Sequence, residues 1–115
     1  MIELAENLEE LISSSSTLIL QFGEETCGPC HAIRFRLDRW LNEHETVTAR
    51  YVDIGQHLQM CSQMGIMSAP AVLVYMDGKI VAKEAGYFSL DDLLRRTERV
   101  LQMRDEVSDG RLARR

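Results

Sequence analysis

The sequence predicts an α/β domain: a three-layer α/β/α sandwich on a central mixed sheet of about four strands. Three observations carry that reading. The 115 residues suit one domain, since domains cluster near roughly 100–150 residues. Apolar residues at helical spacing alternate with short β-rich runs, in the order α-β-α-β-α-β-β-α. The last two strand-like runs flank Asp77-Gly78, a two-residue hairpin signal. Helix-linked strands imply parallel pairs with right-handed crossovers, and the closing hairpin adds an antiparallel strand.

Each element has its own warrant. Leu4, Leu8, Leu11 and Ile12 fall at helical spacing with Glu3, Glu6, Glu9 and Glu10 between them, which predicts an amphipathic first helix. The serine run Ser13–Ser16 favours a turn and ends it. Thr17–Phe22 is β-rich with little alternation, as expected of a strand buried on both faces. The next helix should start around Pro29, because proline suits the first helical turn, and Ile33, Leu37, Trp40, Leu41 and His44 follow on one face. Val47–Asp53 reads as a second strand, and Gln56–Met64 as a weaker helix stopped by Gly65. Ala71–Met76 and Lys79–Ala85 form the hairpin. Ser89 caps the final helix, with Asp92 as an acidic variant of the capping box, and Leu90, Leu93, Leu94, Thr97, Val100 and Leu101 line its buried face. The domain is expected to span residues 1–106, leaving 107–115 as a tail whose basic end, Arg111–Arg115, should fray.

Composition narrows the function. With 45% hydrophobic and 27% charged residues, the chain is an ordinary globule and not a disordered polymer. Thirteen Lys and Arg against eighteen Asp and Glu give a net charge of −5, and that field repels a phosphate backbone, so nucleic acid is not an expected partner. Apolar runs such as Leu18–Leu20 and Ala69–Tyr75 fall far short of the ~20 residues that a membrane span needs. Met1–Glu10 carries four glutamates and no Lys or Arg, unlike a targeting segment, so the expected location is the cytoplasm. The chain is expected to be a monomer. Three cysteines are too few, and odd in number, for a secreted disulfide scaffold. In a reducing compartment a close pair of them points to redox chemistry or to metal.

Cys27-Gly28-Pro29-Cys30 sits where the first strand gives way to a helix. A sulfur at a helix N-terminus faces unpaired backbone N–H groups and the positive end of the macrodipole, both of which stabilise a thiolate. The two-residue spacer brings the second thiol within disulfide reach. Cys27 can attack a substrate disulfide, and Cys30 can then attack the mixed disulfide.

The segment Phe22–Cys30, with CGPC opening a helix, resembles the thioredoxin family. So do Gly65-Ile66-Met67-Ser68-Ala69-Pro70 ahead of a strand, the Asp77-Gly78 turn, and Gly86 before the last helix; the likeness runs from about Leu4 to Leu101. It implies a thioredoxin fold with Pro70 as a cis-proline packed against the two cysteines. It also implies that the backbone of Ala69 pairs with an extended substrate segment. Thr26, Gly28, Pro29, Ala69, Pro70, Gly86 and Tyr87 would form the docking surface. Gly-Pro between the cysteines goes with reducing members of the family. The function implied is reduction of protein disulfides through a Cys27/Cys30 dithiol in cell redox homeostasis, with electrons from a thioredoxin reductase or a low-molecular-weight thiol. The alternative is a thioredoxin-fold interaction or metal-binding module without general reductase activity.

Three departures from the family stand out. Thr26 occupies the position that is tryptophan in most thioredoxins, and Phe35 replaces a proline that often bends the helix. The aspartate usually buried beneath the cysteines aligns with Gln21, and its lysine partner with Ala49. Glutamine can hydrogen-bond but cannot accept a proton in this pH range. Exchange should therefore survive with a slower resolving step, or one served by water or another base.

Other readings of the same residues are weaker. His31 makes Cys27–His31 a C-x-x-C-H match, the haem-attachment signature, but that chemistry needs export, and a solvated surface histidine is the plainer reading. His57 and Cys61 could join Cys27 and Cys30 in a Cys3His zinc site. The cis-proline loop of the family fold would stand between them, so no metal and no cofactor are expected. Cys61 reads as a partly buried small hydrophobe. Met60, Met64 and Met67 read as core and rim packing.

Overall fold

The computed structural model describes residues 1–108. In chain order its elements are α1 (Leu8–Ser14), β1 (Thr17–Gly23), α2 (Gly28–Asn42), β2 (Thr48–Asp53), α3 (Leu58–Gln63), β3 (Ala71–Met76), β4 (Lys79–Ala85) and α4 (Leu90–Ser108). A 3-10 turn, Ile54–Gln56, joins β2 to α3. The helix α4 runs two residues beyond the domain end expected at 106, and Arg111–Arg115 lie outside the described residues.

β1 is buried at every position and so needs cover on both faces. Its side chains divide by the two-residue strand period. Leu18, Leu20 and Phe22 join Leu73 and Tyr75 of β3, Leu11 of α1 and Cys61 of α3. Ile19 joins Val72 and Val74 of β3, Leu37 and Trp40 of α2, and Leu90, Leu93 and Leu94 of α4. The molecule is therefore a three-layer sandwich, with α1 and α3 on one face and α2 and α4 on the other.

The sheet order is β2-β1-β3-β4. Only β1 and β2 are parallel; β3 runs antiparallel to β1 and to β4, which corrects the expectation that every helix-linked pair is parallel. The connection after β2 starts and ends at the same edge of the sheet, since Asp53 stands opposite Gly23 and Ala71 opposite Phe22. Ala71 in turn faces Ala85, so the end of β1, the start of β3 and the end of β4 meet at one edge of the molecule.

Several boundary and face expectations also change. The first helix begins at Leu8, where Asn7 caps it by accepting a hydrogen bond from the Glu10 N–H at 3.1 Å. Leu4 is buried, but as part of an extended segment: its N–H donates to Tyr51 O, and Tyr51 N–H donates to Ile2 O, so the N-terminus covers the outer edge of β2. In α4, Val100 is 40% exposed and lies outside the buried face, whereas Thr97 is buried as expected. His44 lies past the end of α2, where its ring stacks on Trp40 at 3.8 Å. The hairpin holds: Asp77 and Gly78 have φ of 52° and 81°, the double positive φ of a type I′ turn.

The N-terminal segment is pinned to β2 by Glu6, whose Oε2 accepts from Arg50 Nη2 at 2.6 Å and from Arg50 Nε at 2.9 Å. The Arg50 guanidinium holds the Glu6 carboxyl well below its ordinary value of 4.5, at about 2. The folded-state pKa is depressed, so the contribution is present above pH ~4.5 and is lost as pH falls towards 2. Replacing Glu6 by Gln should lower the thermal midpoint at pH 7 but leave it unchanged below pH 2, where both forms are neutral. The pair is solvent-exposed, so the difference should be small and should shrink in ~1 M salt. A variant midpoint that tracks wild type at every pH would show that the pair contributes nothing.

Candidate active site

The chain leaves the sheet at Gly23. A Cβ there would lie 1.9 Å from Tyr51 Oη, so only glycine lets the buried Tyr51 ring cross the strand end. Arg34 covers that ring from α2 at 4.2 Å, and burial pushes the Tyr51 phenol up. A turn follows, closed by the Cys27 N–H donating to Glu24 O at 3.1 Å. α2 then starts at Gly28, one residue before the expected Pro29, with proline in its first turn.

Cys27 is the N-cap of α2, and its Sγ accepts from the Cys30 N–H at 3.3 Å. The two cysteines form a disulfide with Cα atoms 5.4 Å apart. They are not equivalent. Cys27 is half-buried and Cys30 is 0% exposed, so a substrate can reach only the first sulfur. With the pair reduced, a Cys27 thiolate would sit against the unpaired N–H groups at the start of a fifteen-residue helix, where the macrodipole favours negative charge.

Gln21 lies beneath the pair and is fully buried. Its Nε2 donates to Cys30 O at 2.8 Å, while its Oε1 has no partner among the described residues. Ala49, from β2, brings no polar group to this side of the sheet and is itself buried.

The other loops at this edge complete the site. The Ala69-Pro70 peptide bond is cis, and the Gly86 N–H donates to Pro70 O at 2.9 Å, tying the end of β4 to the start of β3. Gly86 has φ 74°, which favours glycine. Thr26, Cys27, Gly28, Pro29, Ala69, Pro70, Gly86 and Tyr87 together border an open groove of about 400 Å³. Glu24 borders it as well and was not singled out by sequence, because a glutamate in a loop reads as solvated charge. Its place three residues before Cys27 was the available signal. A larger hollow of about 600 Å³ beside Met1, Asp38 and Arg50 is lined by no cysteine or histidine.

The remaining candidates stay apart from the dithiol. Cys61 is fully buried rather than partly so; it packs in the core facing α1, and burial pushes its thiol up. His31 is exposed on α2, and His57 is the N-cap residue of α3 but its side chain makes no capping bond. Among the described residues no three His, Cys, Asp or Glu side chains gather as a metal site. Met60 and Met64 pack against the core, and Met67 is 70% exposed.

Comparison with known proteins agrees with this geometry. The family model for thioredoxin matches residues 2–99. A thioredoxin of Chlamydia caviae is 33% identical over 91 residues, covering 79% of this chain and 88% of that one. A thioredoxin of Alicyclobacillus acidocaldarius is 27% identical over 97 residues, covering 84% and 92%. The oxidised thioredoxin of Plasmodium falciparum shares the fold with a TM-score of 0.73 at 22% identity, covering 84% of this chain and 98% of that one.

Proposed function

Because the chain belongs to the thioredoxin family and is a thiol–disulfide oxidoreductase, we propose that Cys27 is its nucleophile and Cys30 its resolving thiol in the reduction of protein disulfides. The observation that carries the assignment is the difference in exposure of the two sulfurs, with the accessible one at the helix N-cap.

The cycle balances as follows. The Cys27 thiolate attacks one sulfur of the substrate disulfide, and the electron pair of the broken S–S bond leaves on the other substrate sulfur, which takes a proton. Cys30 then loses its proton and attacks Cys27 Sγ in the mixed disulfide, expelling the second substrate sulfur as a thiolate, which takes up a proton in turn. The substrate gains two electrons and two protons, and the protein is left with the Cys27–Cys30 bond seen here. A thioredoxin reductase or a low-molecular-weight thiol returns the pair to the dithiol. The cytoplasm suits such a resting state, because its thiol pool holds accessible pairs reduced.

Substrate docking falls to the groove. An extended segment lies along the backbone of Ala69 as an added strand, with Thr26, Gly28, Pro29, Pro70 and Gly86 packed about its cysteine.

Reduction of insulin by a dithiol donor tests the reading. Catalytic amounts of the full chain should accelerate precipitation of the freed insulin chains well above the donor alone. A rate equal to that of the donor alone would overturn it. The state of the pair is best followed by thiol trapping. Trp40 lies ten residues along α2 from Cys30, about 15 Å away, and its indole is engaged by Glu98 at 2.7 Å.

A further inference from the structure

A second hollow of about 470 Å³ is bordered by Glu24, Glu25, Asp53, Ile54, Leu58 and Met67. Glu24 also borders the groove beside the dithiol, so the two hollows are neighbours. Leu58 and Met67 are 66% and 70% exposed, large apolar side chains that no other element covers. Three carboxylates share the same border. None takes part in an ion pair among the described residues, and no Lys or Arg borders either hollow. Met67 lies two residues before Ala69, so the second hollow lies close to the backbone on which the substrate segment is laid.

We propose that this second hollow selects the substrate: a protein segment that carries lysine or arginine, next to an apolar residue, on one side of its reactive cysteine. The inference rests on the reductase reading and adds the class of disulfide that it favours. An extended segment alternates its side chains between two faces. The apolar residue can then settle on Leu58 and Met67 while its basic neighbours reach Glu24, Glu25 and Asp53. The carboxylates have water on one side, so their effect is felt mainly during encounter and weakens with salt.

Two disulfide peptides test the proposal, identical in sequence and in one leucine, but with two lysines or two glutamates beside the cysteine. At low ionic strength kcat/KM should favour the lysine peptide by about fivefold or more, and the preference should fall below about twofold near 1 M salt. In the Glu24→Gln/Glu25→Gln double variant the ratio should approach one. The Glu9→Gln/Glu10→Gln double variant, which changes net charge equally but on α1, should keep the wild-type ratio. Leu58→Ser with Met67→Ser should raise KM for both peptides together. The ratio is taken on each protein separately, so any change in dithiol reactivity cancels. Equal reduction of the two peptides by wild type overturns the inference while leaving the reductase reading intact. So does a ratio that survives salt or the Glu24/Glu25 change, or one lost equally in the α1 variant. Reduction of neither peptide overturns both.

Discussion

Cys27→Ser is expected to lower protein-disulfide turnover by on the order of 10³-fold or more, to the rate of the donor alone. Cys30→Ser is expected to stop after one capture. The two outcomes differ because the sulfurs differ in place. Cys27 is partly exposed and caps the helix, so under the proposed assignment its loss removes the nucleophile, and among the described residues no other cysteine is exposed. Cys30 is sealed at 0% exposure, and without it the mixed disulfide on Cys27 has no internal thiol to break it. Cys61 does not substitute, since it is buried in the other core with its thiol pushed up. The check is the intact mass of each variant after incubation with a protein disulfide, read with and without reductant. Cys30→Ser should gain the mass of one substrate, released by a dithiol, and should do so equally in a Cys30→Ser/Cys61→Ser background. Multiple turnover by Cys30→Ser, or a stable adduct on Cys27→Ser, would reverse the assigned roles.

What could be read in advance follows from how local each signal is. The CGPC turn, the two-sided burial of β1 and the Asp77-Gly78 hairpin are decided within a few neighbouring residues, and each stands where expected. Leu4 lies outside the first helix, because burial satisfies the same periodicity whether the backbone is helical or paired to Tyr51. The direction of β3 depends on the edge to which the connector returns, which no apolar pattern reports. Val100 repeats the spacing of Leu93 and Thr97, yet it is 40% exposed and belongs to neither core. At the site, Glu24 gained significance only when the chain brought it beside Pro70 and Tyr87. Gln21 was legible as the residue beneath the cysteines, but its unpartnered oxygen was not, since that depends on which way the amide is held by Cys30 O.

That oxygen makes Gln21→Asp the most informative substitution in the core, because it should raise one property and lower another. A carboxylate there could take the Cys30 proton as the mixed disulfide is resolved, a role worth on the order of 10²-fold or more in rate. The same carboxylate would be fully buried, with Ala49 in place of a cation and no hydrogen to donate to Cys30 O. Desolvation raises its pKa above the ordinary value of about 3.9. A raised folded-state pKa means that stability is retained below pH ~4 and lost as pH climbs through the folded value. A rise of ~3 pH units costs ~4 kcal/mol near neutrality. The variant should therefore unfold close to wild type at pH 4, apart from the cost of one lost methylene, and far earlier at pH 7.5. Gln21→Asp/Ala49→Lys should recover much of the loss by pairing the charge. Rapid-mixing reduction of a small disulfide, run beside thermal unfolding at both pH values, reads the two effects separately. An unchanged resolving rate in Gln21→Asp would mean that Cys30 already hands its proton to water or to another group. Unchanged stability at pH 7.5 would mean that the space beneath the disulfide is wetter than its 0% exposure implies.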